Sequence, residues 1–172
     1  MSRLDRIAEK IVPIEKVEAL AHRLRIKGKR IIFTNGVFDI LHRGHATLLN
    51  LASEQGDFLI VGLNSDDSVR TLGKGPERPL NAEEDRAMVL AALQCVDAVV
   101  IFGDSTPYEL VKLIRPDVLV KGGDYDPDQD DPTEKEYIVG SDIQRETGKS
   151  TISIPLVEGY STTAIIKKSK NG

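Results

Sequence analysis

The sequence predicts a doubly wound α/β fold in which a parallel five-stranded sheet carries helices on both faces. Two observations lead there. Short aliphatic runs recur at 31–34, 58–63, 98–102, 118–120 and 152–156, each apolar throughout instead of alternating, as expected of strands covered on both faces. Between and after them lie stretches of helical periodicity at 44–55, 66–72, 81–94, 106–114, 133–147 and 162–169.

Taken in chain order, residues 1–28 read as an N-terminal helical extension. Leu4, Ile7, Ala8 and Ile11 suggest a short helical piece; Val17, Leu20, Ala21 and Leu24 follow Pro13, a favoured first-turn residue, and predict an amphipathic helix over 14–27. Residues 29–172 then form a single Rossmann-like domain. In such sheets ligands bind beyond the carboxyl ends of the strands, where strand order reverses, so the polar residues that follow each strand are the candidates for a site.

Composition narrows the function. At 172 residues and 18.9 kDa the chain is long enough for one domain that buries a core without disulfides. Its net charge of −4 and pI near 5.4 argue against a nucleic-acid partner, which would call for a basic face. Cys95, the one cysteine, sits in the apolar run 91–100 and reads as a buried thiol. Residues 1–30 are broken by charge every few positions and offer neither a signal-peptide core nor a membrane span, so a cytoplasmic protein without a membrane partner is expected. The acidic stretch 124–131 reads as a solvated loop, with a substrate lid or a metal-attracting site as alternatives.

The segment joining the first strand to its helix, Thr34-Asn35-Gly36-Val37-Phe38-Asp39-Ile40-Leu41-His42-Arg43-Gly44-His45, is the most informative. It has neither the three glycines of a dinucleotide fingerprint nor a Walker lysine. Gly148-Lys149-Ser150 imitates a Walker ending, but Ile143 occupies the first glycine position, so this triplet reads as a helix-end turn. What the first loop offers is His42 and His45 flanking Gly44 where a helix begins. Free amides and the positive end of the helix dipole attract phosphate, imidazoles add N–H donors, and glycine permits close approach. A structural pair or a metal pair are the competing uses; zinc would need a third protein ligand, and no Cys/His cluster offers one.

Other strand ends add candidates. Asn64-Ser65-Asp66-Asp67-Ser68 follows the second strand, where Asp and Ser also suit a helix N-cap. Arg86 lies in the first turn of a helix. Lys121 follows the fourth strand, where an ammonium at the sheet edge is costly unless an anion meets it. Ser161 stands where the terminal helix begins, and Lys74 sits in the glycine-flanked loop Leu72-Gly73-Lys74-Gly75-Pro76.

The first loop resembles the His-x-Gly-His signature of the nucleotidyltransferase superfamily that includes the cytidylyltransferases, pantetheine-phosphate adenylyltransferase and the class I aminoacyl-tRNA synthetases. The resemblance implies catalytic roles for His42, His45 and Lys121. It implies nucleotide contacts from Asn35, Gly36, Val37, Phe38, Gly44, Arg86, Gly122, Ser161 and Thr162, and substrate contacts from Asp39, Asn64, Asp66, Lys74 and Asp124. Mg2+ would be carried by the triphosphate, with no protein side chain expected to hold it.

Within this superfamily, residues 29–168 resemble the adenylyltransferase domain of the bifunctional heptose enzymes and its stand-alone equivalent, which make ADP-heptose for lipopolysaccharide or surface glycans. The pieces that carry this are Thr34 to Asp39, Arg78-Pro79, Val120-Lys121-Gly122-Gly123-Asp124-Tyr125 and Glu158-Gly159-Tyr160-Ser161-Thr162-Thr163. Glycerol-3-phosphate cytidylyltransferase, the nearest alternative, typically has an arginine shortly before its Gly-Ile-Ser-Thr segment; this chain has Val157-Glu158. The implied reaction is in-line attack by the phosphate of D-glycero-D-manno-heptose 1-phosphate on the α-phosphorus of ATP. A cytidylyltransferase with glycerol 3-phosphate or another small acceptor is the alternative, and a non-catalytic nucleotide sensor a further one. No residues remain for a kinase domain, so a separate kinase is expected to supply the sugar 1-phosphate, and the family suggests a homodimer.

Overall fold

The computed structural model describes residues 2–73, 75, 77–157, 159–160, 162, 165–166 and 168. The chain runs α1 (Arg3–Ala8), α2 (Ile14–Ile26), β1 (Ile31–Gly36), α3 (Arg43–Ser53), β2 (Phe58–Asn64), α4 (Asp66–Thr71), α5 (Glu83–Ala91), β3 (Ala98–Phe102), α6 (Tyr108–Ile114), β4 (Val118–Gly122), α7 (Ser141–Glu146) and β5 (Ser150–Ile154). All strand pairs are parallel, and the five strands lie in the order β3-β2-β1-β4-β5. The chain thus builds outward from β1 through β2 to β3, crosses back, and builds the other way through β4 to β5. Strand order reverses between β1 and β4, where Ile32, Phe33 and Thr34 pair with Val118, Leu119 and Val120.

Because successive strand side chains point to opposite faces, each apolar strand feeds two cores. On one face Ile32, Leu59, Val61, Val118 and Val120 meet Leu48, Leu49 and Ala52 of α3 and Ala87, Leu90 and Ala91 of α5. On the other, Ile31, Phe33, Ile60, Val100 and Leu119 meet Val17, Ala21 and Leu24 of α2 and Leu110, Val111 and Ile114 of α6. Each such fully buried aliphatic or aromatic side chain contributes about 1.5–3 kcal/mol relative to exposure.

The N-terminal residues are built into this sheet. Ser2 and Asp5 form a capping box on α1, and the following residues pair with the β3 edge: Val12 N–H donates to Val99 O and Val99 N–H to Lys10 O, both at 2.8 Å. This covers an edge that would otherwise expose unpaired backbone groups. Lys10 Nζ also donates to Val96 O at 2.7 Å and Leu93 O at 3.2 Å, tying the N-terminus to the loop that enters β3.

Several boundaries differ from the sequence expectation. β5 begins at Ser150, two residues before the expected 152, so Ser150 is a strand residue and the helix-end turn closes at Gly148 (φ +65°), with Lys149 N–H donating to Gln144 O. The helix expected over 133–147 is confined to α7, because Gly140 sits at φ +93° and ends any continuous helix through Ile138 and Ile143. Cys95 is half-buried, and burial pushes its thiol pKa up. Of the terminal helix, Thr162, Ile165, Ile166 and Lys168 are described and helical. Among the described residues no helix is long and apolar enough to cross a membrane.

Candidate active site

β1 ends at Asn35 and Gly36, and the chain turns sharply at Phe38, whose φ of +46° is left-handed, a region sparsely used by bulky residues. Gly36 is required there: a Cβ would stand 2.9 Å from the Phe38 ring. That ring meets His45 edge-on, with centroids 5.1 Å apart.

His42 is the N-cap of α3. Its backbone is extended (φ −142°, ψ 172°) and Nδ1 accepts the His45 amide at 3.4 Å, so an imidazole does the work usually done by Ser, Thr, Asp or Asn. The His42 and His45 rings stack with centroids 3.8 Å apart and planes 20° from parallel. Gly44 allows this stack, since a Cβ would come within 3.1 Å of the His42 ring. Burial pushes the His42 imidazole below its ordinary pKa of 6.5, which favours the neutral ring. With Nδ1 accepting, the proton of that neutral ring resides on Nε2, a donor at the positive end of α3.

On the other side of the strand-order reversal, Lys121 near the end of β4 donates to Asn35 Oδ1 at 3.1 Å and lies 5.4 Å from the Tyr125 ring. Asn35, Lys121, Tyr125, Lys135 and Tyr137 line a cleft. Gly122 packs so closely that a Cβ would stand 2.7 Å from Leu48 of α3, fixing the distance between β4 and the histidine helix. Asp124 is exposed beyond it. From the C-terminal segment, Tyr160 reaches over the same helix start: Arg43 lies 5.6 Å from its ring centroid, and its Cβ is 3.4 Å from where a Gly44 Cβ would stand. Thr162 follows, half-buried; Ser161 and Lys74 lie outside the described residues.

The structure therefore brings His42, Gly44, His45, Asn35, Lys121 and Tyr160 to one edge of the sheet. Four of the residues expected to contact ligand have protein partners in this structure. Asp39 is buried and its carboxylate accepts the Leu80 and Asn81 amides at 2.9 and 3.0 Å while meeting Arg78 Nε at 2.6 Å. Arg86, also buried, donates to Val37 O and Asn81 O and pairs with Asp66. Asn64 Nδ2 donates to Ser68 Oγ inside the fold. The N-cap of α4 is Ser65; Asp66 is the residue after it, and its amide donates to Glu83 at 2.6 Å. Burial thus gives Asp39, Asn64 and Arg86 protein partners, with Asp66 paired to Arg86, while Asp39 and Arg86 also line a cavity beside Phe38 and Asn81. Arg43, Arg78, Tyr125 and Tyr160 lie within the segments that carry the resemblance but had no role of their own, and Asn81 had no signal in the sequence.

Comparison with known proteins agrees with this geometry. Residues 33–168 match the cytidylyltransferase-like family. The chain is 50% identical over 163 residues to the bifunctional protein HldE of Nitratiruptor sp., covering 95% of this chain and 32% of that protein. Against bifunctional protein HldE of Helicobacter pylori it is 48% identical over 167 residues, covering 97% of this chain and 33% of that protein. The chain thus spans about a third of the length of these relatives. Among solved structures, the lipopolysaccharide core biosynthesis protein from Thermoplasma volcanium superposes with a TM-score of 0.57 at 25% identity, over 78% of this chain and all of that one (100%). Pantoate-beta-alanine ligase from Francisella tularensis, at 15% identity and a TM-score of 0.58 over 93% of this chain and 77% of that one, shares the fold. On its motif, its sheet order and these matches, the chain belongs to the cytidylyltransferase-like family.

Proposed function

We propose that the chain transfers an adenylyl group from ATP to D-glycero-D-manno-heptose 1-phosphate, giving ADP-heptose and pyrophosphate. The observation that carries this reading is the His42–His45 stack at the start of α3, set at the same sheet edge as the Lys121–Asn35 pair. The sequence resemblance to heptose adenylyltransferase domains, and the likeness to proteins named HldE, supply the acceptor.

In this reading a phosphate oxygen of the sugar 1-phosphate attacks the α-phosphorus in line, a new P–O bond forms, and the bond to pyrophosphate breaks. The protein's work is positioning and charge stabilisation. His42 through Nε2–H, His45, Lys121 and the Ser161-Thr162 segment hold the triphosphate; Asn35, Gly36, Val37, Phe38, Gly44 and Gly122 shape the wall against which it lies. Mg2+ would arrive chelated by the triphosphate. The family resemblance adds the expectation of a homodimer acting in the cytoplasm on small molecules, testable by sedimentation for the dimer, and the reaction calls for a kinase that supplies the anomeric phosphate.

The test is a matrix of ATP, CTP and GTP against heptose 1-phosphate and glycerol 3-phosphate, read as pyrophosphate release with the sugar nucleotide identified by mass. ATP with heptose 1-phosphate is expected to give the highest kcat/KM. Turnover confined to CTP with glycerol 3-phosphate would replace this reading with the cytidylyltransferase one.

A further inference from the structure

Around Phe38 the fold places two buried ions whose partners lie on the backbone of the phosphate loop, on the segment that enters α5 and, for Arg86, also at Asp66 of α4. Arg86 Nη1 donates to Val37 O at 2.6 Å, the residue immediately before Phe38. Asp39, the residue immediately after it, is fastened twice: its carboxylate takes the Leu80 and Asn81 amides and the Arg78 guanidinium, and its carbonyl accepts Asn81 Nδ2 at 2.6 Å. Asn81 O in turn accepts Arg86 Nε at 3.0 Å, and Arg86 Nη2 meets Asp66 at 2.6 Å, so the two fastenings share one partner. The side chains of Asp39 and Arg86 are 0% and 1% exposed.

Phe38 is therefore gripped on both sides while held at φ +46°. Its ring fills the space over Gly36 and meets His45 edge-on, and His45 stacks on His42. A continuous series of contacts runs from the Asp39 and Arg86 ions through Phe38 to both imidazoles. Ion pairs this dry give uncertain net stability, since desolvation offsets much of their attraction, but they hold geometry strictly.

We propose that Asp39, Arg78 and Arg86 are positioning residues which, through Phe38, set the orientation of the His42–His45 pair. This deepens the adenylyltransferase reading and rests on it only for the kinetic part of the test. It assigns the conformation of the phosphate loop to a brace from the 78–86 segment.

The test uses the full chain. Its three histidines, His22, His42 and His45, allow ring resonances to be followed individually, with His22 on α2 as the internal control. Asp39→Asn removes the charge but keeps the shape, and Phe38→Leu leaves the ions intact while removing the ring edge. In both, the His42 and His45 ring signals are expected to move while those of His22 stay. kcat for pyrophosphate release should fall on the order of 100-fold, as for displaced catalytic groups, with KM for ATP little changed. Should Asp39→Asn fail to fold, Arg78→Gln, which takes the guanidinium from Asp39 and leaves the rings in place, decides by the same signals. Folded variants whose His42 and His45 signals superimpose on the wild type overturn the proposal. If the wild type turns over no ATP, the resonances still judge the brace, and only the adenylyltransferase reading fails.

Discussion

Lys121 Nζ donates to Asn35 Oδ1 at 3.1 Å and so ties the end of β4 to the end of β1 across the point where strand order reverses. This fixes a cation where an α/β sheet receives its ligand. Lys121→Met should keep the fold and lower kcat for adenylyl transfer by about 100- to 1,000-fold, the usual loss for one group that stabilises developing charge. Steady-state pyrophosphate release checks it; activity within a few-fold of wild type would remove Lys121 from the site.

His45→Ala removes one imidazole of the stack and the partner of Phe38. We expect most turnover to vanish, again by about 100-fold or more, with the circular dichroism spectrum unchanged. Near-normal kcat in that variant would overturn the role given to the histidine pair.

The pH dependence follows from His42. Its imidazole is lowered below 6.5 by burial, so the unfolded chain takes up this proton at a higher pH than the folded one. The stability it contributes is complete above 6.5 and is lost as pH falls through the lower folded value. Protonation also removes the Nδ1 acceptor that caps α3. Thermal melts between about pH 7.5 and 5.5 should therefore show a loss in Tm that is smaller in His42→Asn, which caps without titrating. Equal pH slopes for the two proteins would contradict this.

Gly44→Ala separates stability from activity. Alanine is the better helix former by roughly 0.5–1 kcal/mol, yet its Cβ would stand 3.1 Å from the His42 ring and 3.4 Å from Tyr160 Cβ. We expect a Tm close to wild type with a clearly reduced kcat. A variant that is both stable and fully active would mean that the ring stack tolerates displacement.

Gln144 is fully buried and its Nε2 donates to Pro116 O and Ser150 O, both at 3.0 Å, joining α7 to the entries of β4 and β5. Gln144→Leu strands two carbonyls and should lower the free energy of unfolding by about 1–3 kcal/mol in a denaturant titration, with little change in kcat. A loss well below that range would show the site re-solvates.

The parts of the site legible in the sequence were those where residue type and position carry the same message. An uninterrupted apolar run followed by glycine and a polar residue marks a strand end, and so Asn35 and Lys121 could be placed before any coordinates. The protein partners of Asp39 and Arg86 were not legible, for the opposite reason. A carboxylate that binds substrate and one that fastens a loop look identical in a string of letters, and the partners of Asp39 lie 41 and 42 residues away. The helix over 133–147 failed likewise: Ile138 and Ile143 both face the core, but Gly140 between them at φ +93° puts them on separate segments.

By itself the sequence determined the strands, the two-sided core and the start of the histidine helix, because these depend on local hydrophobic pattern and capping. Only the tertiary structure decided strand order, the meeting of Lys121 with Asn35, and which buried ions serve the fold, since each depends on residues brought together from distant parts of the chain by packing.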